Sequence, residues 1–195
     1  MRHTAVVLAA GASTRMKQHK LLLPFGGEPL LRRTVGEVIA AGFEDVLVVL
    51  GFGHEETLSA LDGLACRTVV NPNYATGMGS SFRMGIGALE GSSAAMFALA
   101  DQPFVTAEYY RQLPETFRNN PPGIVCVKYG QVTAPPHMFD QEFFPELAAL
   151  EHGARPVLER HKDRTVVLQF PEDLLVDVDT PEDYERAIAR LGTGR

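Results

Sequence analysis

Short, nearly all-apolar runs alternate along the chain with longer stretches of helical period. Residues 5–10, 46–50, 66–70 and 95–100 form the runs, and the first, second and last show little polar alternation. Strands that are apolar on both faces must be covered on both faces, as in a parallel sheet between helical layers. Between the runs, Leu30, Leu31, Val35, Val38 and Ile39 fall on one face of a helix, and Pro29 suits its first turn. Shorter helices are predicted over 55–61, 80–89 and 106–117, the last with Thr106 as its N-cap. This alternation predicts βαβ units and a mostly parallel sheet.

The second half is less regular. Residues 124–127 and 129–133 flank Gly130 and predict an antiparallel excursion, closed off by Pro135-Pro136. Helices are expected at 140–150 and 153–161, and strands at 165–169 and 174–178. The last helix starts with Thr180 as N-cap, Pro181 in first position and Glu182 and Asp183 in the first turn; it should end near Leu191, before Gly192. No repeat or dividing linker interrupts the pattern. The expectation is a single α/β domain over residues 1–195.

Composition narrows the classes. Of 195 residues, 45% are hydrophobic and 22% charged, which excludes disorder as a description of the chain. Eighteen basic against 24 acidic side chains give a net charge of −6, which argues against a nucleic-acid binder with a basic face. Cys66 and Cys126 lie far apart in apolar runs and read as buried, reduced thiols. The apolar start at 5–10 is short for a signal peptide and fits a strand better. No run approaches the roughly 18 apolar residues that span a bilayer. The cytoplasm is the expected compartment, with no nucleic-acid or membrane partner. Charge is uneven: residues 1–27 hold Arg2, Arg15, Lys17 and Lys20 and no acid, whereas 171–185 hold seven acids and no base. A basic loop and an acidic segment suit a polyphosphate and its divalent cation.

Five segments carry candidate chemistry. Leu8-Ala9-Ala10-Gly11-Ala12-Ser13-Thr14-Arg15-Met16, with Lys20 beyond it, follows the first strand, where open α/β sheets bind ligands. Small residues admit phosphate oxygens to the backbone, Arg15 can fork onto phosphate, and Lys20 supplies a point charge. It is neither GxGxxG nor GxxxxGK[ST], and an ordinary surface turn with solvated cations is the plain alternative. Asp101, in Leu99-Ala100-Asp101-Gln102-Pro103, ends an apolar strand; it suits Mg2+, although alone a turn cap is the plainer role. Asp177 and Asp179 are two apart and share a face if the strand persists; Asp179 offers a second carboxylate to Mg2+ or complements the following helix dipole. The run from Asn71 to Ser81 contains Gly77, Met78, Gly79, Ser80 and Ser81. It can cradle a base, a ribose or an anion, or it is a flexible connection with Ser80 or Ser81 as N-cap. Arg155, after Gly153-Ala154, can grip a second phosphate or simply be solvated. HExxH and GxSxG are both absent.

Taken in order, LAAGASTRM-x3-K-LLLP, NPNYATGMGSS, LADQP, GAR and DVDTPEDY resemble the molybdenum cofactor cytidylyltransferase family, within the wider nucleotidyltransferase group. The resemblance spans nearly the whole chain. It implies a Rossmann-like three-layer nucleotidyltransferase fold, with residues 1–105 binding the nucleotide and 106–195 the acceptor. It implies CTP and Mg2+, transfer of CMP to the phosphate of molybdenum-loaded molybdopterin, and release of pyrophosphate to yield the cytosine dinucleotide. Arg15 and Lys20 would then hold the triphosphate, and Asp101 and Asp179 the Mg2+. Leu8 to Gly11 and Gly77 to Ser81 would form the nucleotide pocket, with Arg155 and His137 on the pterin side. A molybdoenzyme or its chaperone would be the recipient.

Three places depart from the family pattern. Lys17 stands where Gly is usual, Leu150-Glu151 where Gly-Asp is usual, and Thr133-Ala134-Pro135-Pro136-His137 where a Gly/Pro-led segment is usual. Ala10, where guanylyltransferases of the group tend to have a second Gly, points through the resemblance to the smaller base. The competing readings are a guanylyl- or sugar-phosphate nucleotidyltransferase and a non-enzymatic molybdopterin carrier.

Overall fold

The computed structural model describes residues 2–16, 18–119 and 123–193, so Lys17 lies outside the described residues. Ten strands and seven α-helices are present among them. In chain order they are β1 His3–Ala9, β2 Pro24–Phe25, β3 Glu28–Pro29, α1 Leu30–Ala40, β4 Asp45–Leu50, α2 His54–Ala60 and β5 Arg67–Val70. Then come α3 Met78–Gly87, β6 Ala94–Leu99, α4 Ala107–Asn119, β7 Ile124–Tyr129, β8 Val132–Thr133 and β9 His137–Asp140. The chain continues with α5 Phe144–Ala148, α6 Arg155–Arg160, β10 Thr165–Phe170 and α7 Pro181–Thr193.

The main sheet has the order β10-β7-β9-β6-β1-β4-β5, with β8 paired to β7. β1, β4, β5 and β6 are mutually parallel, β10 is parallel to β7, and β9 runs antiparallel to both β6 and β7. The fold is therefore α/β, with a mostly parallel sheet and an antiparallel excursion. β1 shows why its pattern reads as unbroken hydrophobicity. Ala5, Val7 and Ala9 pack on one side with α1, α4 and α7 residues such as Val35, Leu113 and Ala187. Val6 and Leu8 pack on the other with Phe82 of α3, Leu147 of α5 and Val157 of α6. Alternate side chains enter opposite cores, so every position from Ala5 to Ala9 is apolar.

Several local expectations change. Residues 140–150 are not one helix: they hold the end of β9, a 3-10 turn at Gln141–Phe143 and the short α5. Asp140 Oδ1 accepts the Glu142 N–H at 3.0 Å, so this residue ends the strand and caps the turn. β9 has only four residues after Pro136, too few for an alternation to be read. Residues 174–178 are not a strand either. Leu175 and Val176 N–H groups turn back onto Glu172 and Leu174 carbonyls, and the Val178 N–H reaches the Asp101 carbonyl at 3.1 Å. That segment is a strap across the end of β6. α3 begins at Met78, with Gly77 rather than a serine at its N-cap. α1 begins one residue after Pro29, and α7 runs through Gly192 to Thr193. The α7 start is a reciprocal cap: Thr180 Oγ1 accepts the Asp183 N–H, and the Asp183 carboxylate accepts the Thr180 N–H. Cys66 is only half-buried, whereas Cys126 is buried; both are free, and burial pushes both thiols up.

Candidate functional site

The parallel strands β1, β4 and β6 end together, and their continuations stay registered. The Ala100 N–H bonds the Leu8 carbonyl at 3.1 Å, and the Phe52 N–H bonds the Ala10 carbonyl at 3.2 Å. Gly51 fits this junction because a Cβ there would lie 2.7 Å from Ala10 and 2.8 Å from Tyr74. A cavity opens at these strand ends. Leu8, Ala9, Ala10, Gly11, Lys20 and Asp101 form part of its wall, and Gly77, Met78 and Ser81 face them.

Its polar end is a cluster of four charged side chains. Lys20 Nζ donates to Asp101 Oδ2 at 2.5 Å and to Asp179 Oδ1 at 2.7 Å. Arg15 Nη2 donates to Asp179 Oδ2 at 2.8 Å. Asp101 is carried by the turn after β6, which Thr34 of α1 anchors through the Ala100 carbonyl. Asp179 is carried by the strap just before α7. Lys20 is buried within a 3-10 turn at Lys20–Leu22. Burial pulls its pKa down, but the Asp101 and Asp179 carboxylates outweigh burial and hold it above the usual lysine value. Asp101 Oδ1 is buried and has no hydrogen-bond partner among the described residues. A buried carboxylate oxygen left bare is costly unless something binds it. The donor set therefore fits a hard cation such as Mg2+, which takes one or two carboxylates and leaves its other positions to phosphate and water. Among the described residues, no group of three or more His, Cys, Asp or Glu gathers to make a protein-only metal cage.

Asp177 does not join the cluster. Its Oδ1 accepts from Gln102 Nε2 at 2.9 Å, and burial raises its pKa, with Asp101 and Asp179 adding to the rise. The strap's irregular backbone separates the two acids that a regular strand would have aligned.

The Asn71 to Ser81 segment divides its labour. Asn71 Nδ2 donates to Ser80 Oγ at 2.8 Å and to Ser81 Oγ at 3.1 Å, and Ser80 Oγ donates to the Gly77 carbonyl. Asn71 and Ser80 thus clip the loop from behind and border a separate hollow with Arg83. Gly79 faces away too, its N–H bonded to the Glu151 carbonyl at 3.0 Å. A Cβ on Gly79 would lie 2.1 Å from the Leu150 carbonyl oxygen, so only glycine permits this contact. Ser13 sits on the other side of the opening loop, in a hollow with His19 and Phe52, in a left-handed conformation with φ of 52°.

Arg155 lines a second cavity that shares Leu8, Met78 and Leu99 with the first. Its side chain is 85% exposed and pairs with Glu159. Phe82, Phe97, Phe139 and Leu158 make this cavity apolar. Phe82 and Phe97 ring centroids are 4.8 Å apart, and Phe97 and Phe139 are 6.2 Å apart. His137 borders it as a neutral ring: burial pushes its pKa down to about 4, and its Nδ1 accepts the Val127 N–H at 3.3 Å. Tyr74, Gln102 and the three phenylalanines were not singled out by spacing. Phe97 and Phe139 lie within strands and Phe82 within α3, where an apolar residue reads simply as core.

The profile of the MobA-like NTP transferase domain matches residues 5–165. The chain is 39% identical over 119 residues to a bifunctional protein GlmU of Sorangium cellulosum, covering 56% of this chain and only 25% of that protein. It thus spans about a quarter of that relative's length. It is 30% identical over 198 residues to the nicotine blue oxidoreductase of Paenarthrobacter nicotinovorans, covering 95% of this chain and 96% of that one. Rv0371c of Mycobacterium tuberculosis superposes with a TM-score of 0.86 at 25% identity, covering 96% of this chain and 97% of the other. The same protein in complex with manganese superposes with a TM-score of 0.79, also at 25% identity, covering 97% and 99%.

Proposed function

The chain belongs to the MobA-like NTP transferase family, and on that footing we propose that it is a cytidylyltransferase acting on molybdenum-loaded molybdopterin. Nucleotidyl transfer is the activity that goes with the family; the base and the acceptor are our reading. CTP would bind in the cavity at the ends of β1 and β6, within residues 1–105 of a single domain. The pterin would bind in the apolar cavity, bordered mainly by residues 106–195.

The observation that carries this reading is the pair Asp101 and Asp179 with Lys20 between them and Asp101 Oδ1 unpartnered. Asp101 and Asp179 would hold Mg2+, whose charge offsets that of the triphosphate. Lys20 and Arg15 would neutralise the leaving pyrophosphate. An acceptor phosphate oxygen forms the new bond to the α-phosphorus of CTP, and the bond from that phosphorus to the bridging oxygen breaks. The attacking oxygen is already anionic, so no general base is needed. The protein's work is to align two anions that repel. Two unit charges about 4 Å apart interact by about 4 kcal/mol at an effective dielectric near 20.

Two features favour the finer reading. Ala10 is buried in the nucleotide cavity and narrows it by a methyl group relative to glycine, which favours a pyrimidine. The second cavity's aromatic lining suits a flat heterocycle better than a sugar. Pyrophosphate release with Mg2+, comparing CTP with GTP and molybdopterin with a sugar phosphate, tests both. Release requiring CTP and molybdopterin together supports the proposal. Release with GTP or a sugar phosphate instead would replace the base or the acceptor. Tight molybdopterin binding without release would make the chain a carrier. An added reduced-nicotinamide arm tests the hydride chemistry that the nicotine blue relative's name suggests.

A further inference from the structure

We propose that Lys20 is the placeholder for the divalent cation: its ammonium and the metal exchange on the same carboxylate pair. The proposal rests on the reading of Asp101 and Asp179 as metal ligands. Lys20 Nζ touches one oxygen of each, and the lysine side chain is only 10% exposed. Arg15 occupies the remaining Asp179 oxygen. Two carboxylates facing two cations leave the cluster formally neutral. A free divalent ion therefore meets no net negative charge, and it must displace an ammonium to reach both acids.

The polyphosphate of a nucleotide changes this balance. Lys20 stands at the boundary between the carboxylates and the cavity that includes Ala10 and Gly11. Its four-carbon stem lets the ammonium turn from carboxylate to phosphate. Once it does, each acid loses its ammonium contact and the cluster, with Arg15 still on Asp179, carries a formal charge of −1 that attracts a cation arriving with the phosphates. Lys20 thus couples metal entry to nucleotide entry, and metal without nucleotide binds weakly.

The test is a manganese titration without nucleotide, read by the EPR signal of free Mn2+. It compares wild type with Lys20→Gln, Lys20→Met and Lys162→Gln, the last a cation outside the cluster. Both Lys20 variants should bind Mn2+ about tenfold or more tightly than wild type, a coupling usual for linked sites. Lys162→Gln should leave affinity unchanged. Equal affinity in wild type and the Lys20 variants overturns the proposal. So does equal tightening by Lys162→Gln, which would make the effect one of net charge, and so does absence of Mn2+ binding in every protein. A second measurement uses wild type alone and is immune to misfolding of a variant. Acylation of Lys20, followed by mass spectrometry, should be slow without metal and rise at saturating Mn2+; an unchanged rate overturns the proposal. Neither readout involves CTP or molybdopterin, so failure of the substrate assignment leaves these results standing, and the reverse also holds.

Discussion

Two carboxylate clusters lie at opposite ends of the central sheet, each with two cations. At the amino end of β4, Asp45 takes Arg67 on both oxygens, at 3.0 and 2.8 Å, and Arg2 at 3.2 Å. Thr4 Oγ1 adds a further donor, and Arg67 also reaches the Ala88 carbonyl. Every oxygen of Asp45 is satisfied, and hydrogen bonding from Arg67 holds its pKa below the usual carboxylate range. At the carboxyl end, Asp101 has one oxygen on Lys20 and the other bare. Similar charges thus serve different ends. A saturated cluster ties chain segments together, and one that leaves a buried oxygen open is prepared to bind something else.

The contrast breaks most sharply under mutation at the open cluster. Lys20→Met or Asp101→Asn should lower the rate of pyrophosphate release by roughly 10²- to 10³-fold, the usual scale for losing a preorganised charge at a transferring phosphoryl group. Circular dichroism should show the fold retained. Loss of activity by less than tenfold would place the chemistry elsewhere.

The saturated cluster should do the reverse. Asp45→Asn should cost roughly 1 kcal/mol of stability, because Arg2 and Arg67 lose a charged acceptor that water only partly replaces. Turnover per folded molecule should be unchanged. A variant with normal melting and impaired turnover would erase the distinction between the two ends.

Acid and base separate the clusters further. Asp45 has a depressed pKa in the folded protein. Its contribution is present above the unfolded value of about 3.9 and is lost as pH falls through the lower folded value. Lys20 has a raised pKa. Its contribution is complete below the unfolded value near 10.4 and is lost as pH rises through the higher folded value. Melting temperature against pH should therefore lose part of its acid slope in Asp45→Asn and part of its alkaline slope in Lys20→Met. The smallest effect is expected at Arg155, whose exposed partner is Glu159. Arg155→Ala should change the acceptor KM by roughly fivefold or less, since exposed ion pairs contribute under about 1 kcal/mol.

What could be read from the chain follows the physics of each part. The apolar bodies of β1, β4 and β6 are legible because burial on two faces leaves no polar position within them, whereas the polar first residues His3, Thr4 and Asp45 fall outside the predicted runs. The α7 start is legible because Thr180, Pro181 and Asp183 each act within one turn. β9 was missed because four residues between a proline pair and a capping aspartate carry no period. The strap at 174–178 was misread because apolar residues there pack against the main core without joining a ladder. At the site, Arg15, Lys20, Asp101 and Asp179 were picked out singly, by residue type and place. That Lys20 bridges acids 81 and 159 positions away was beyond reach, since no local pattern encodes such a meeting. The aromatic floor of the second cavity was hidden for a similar reason: Phe82, Phe97 and Phe139 come from three separate elements.

β9 reverses a habit of the fold. β1 and β6 present their last residues to the cavities, whereas β9, running backward beside β6, presents its first, with His137 opposite Phe97. The connection that leads into it, including Thr133 and Pro135, then becomes cavity wall. For anyone re-engineering what the protein accepts, the loop to randomise on this strand is the one before it. Such a library would retain the β1 and β6 strand ends and leave the nucleotide side untouched.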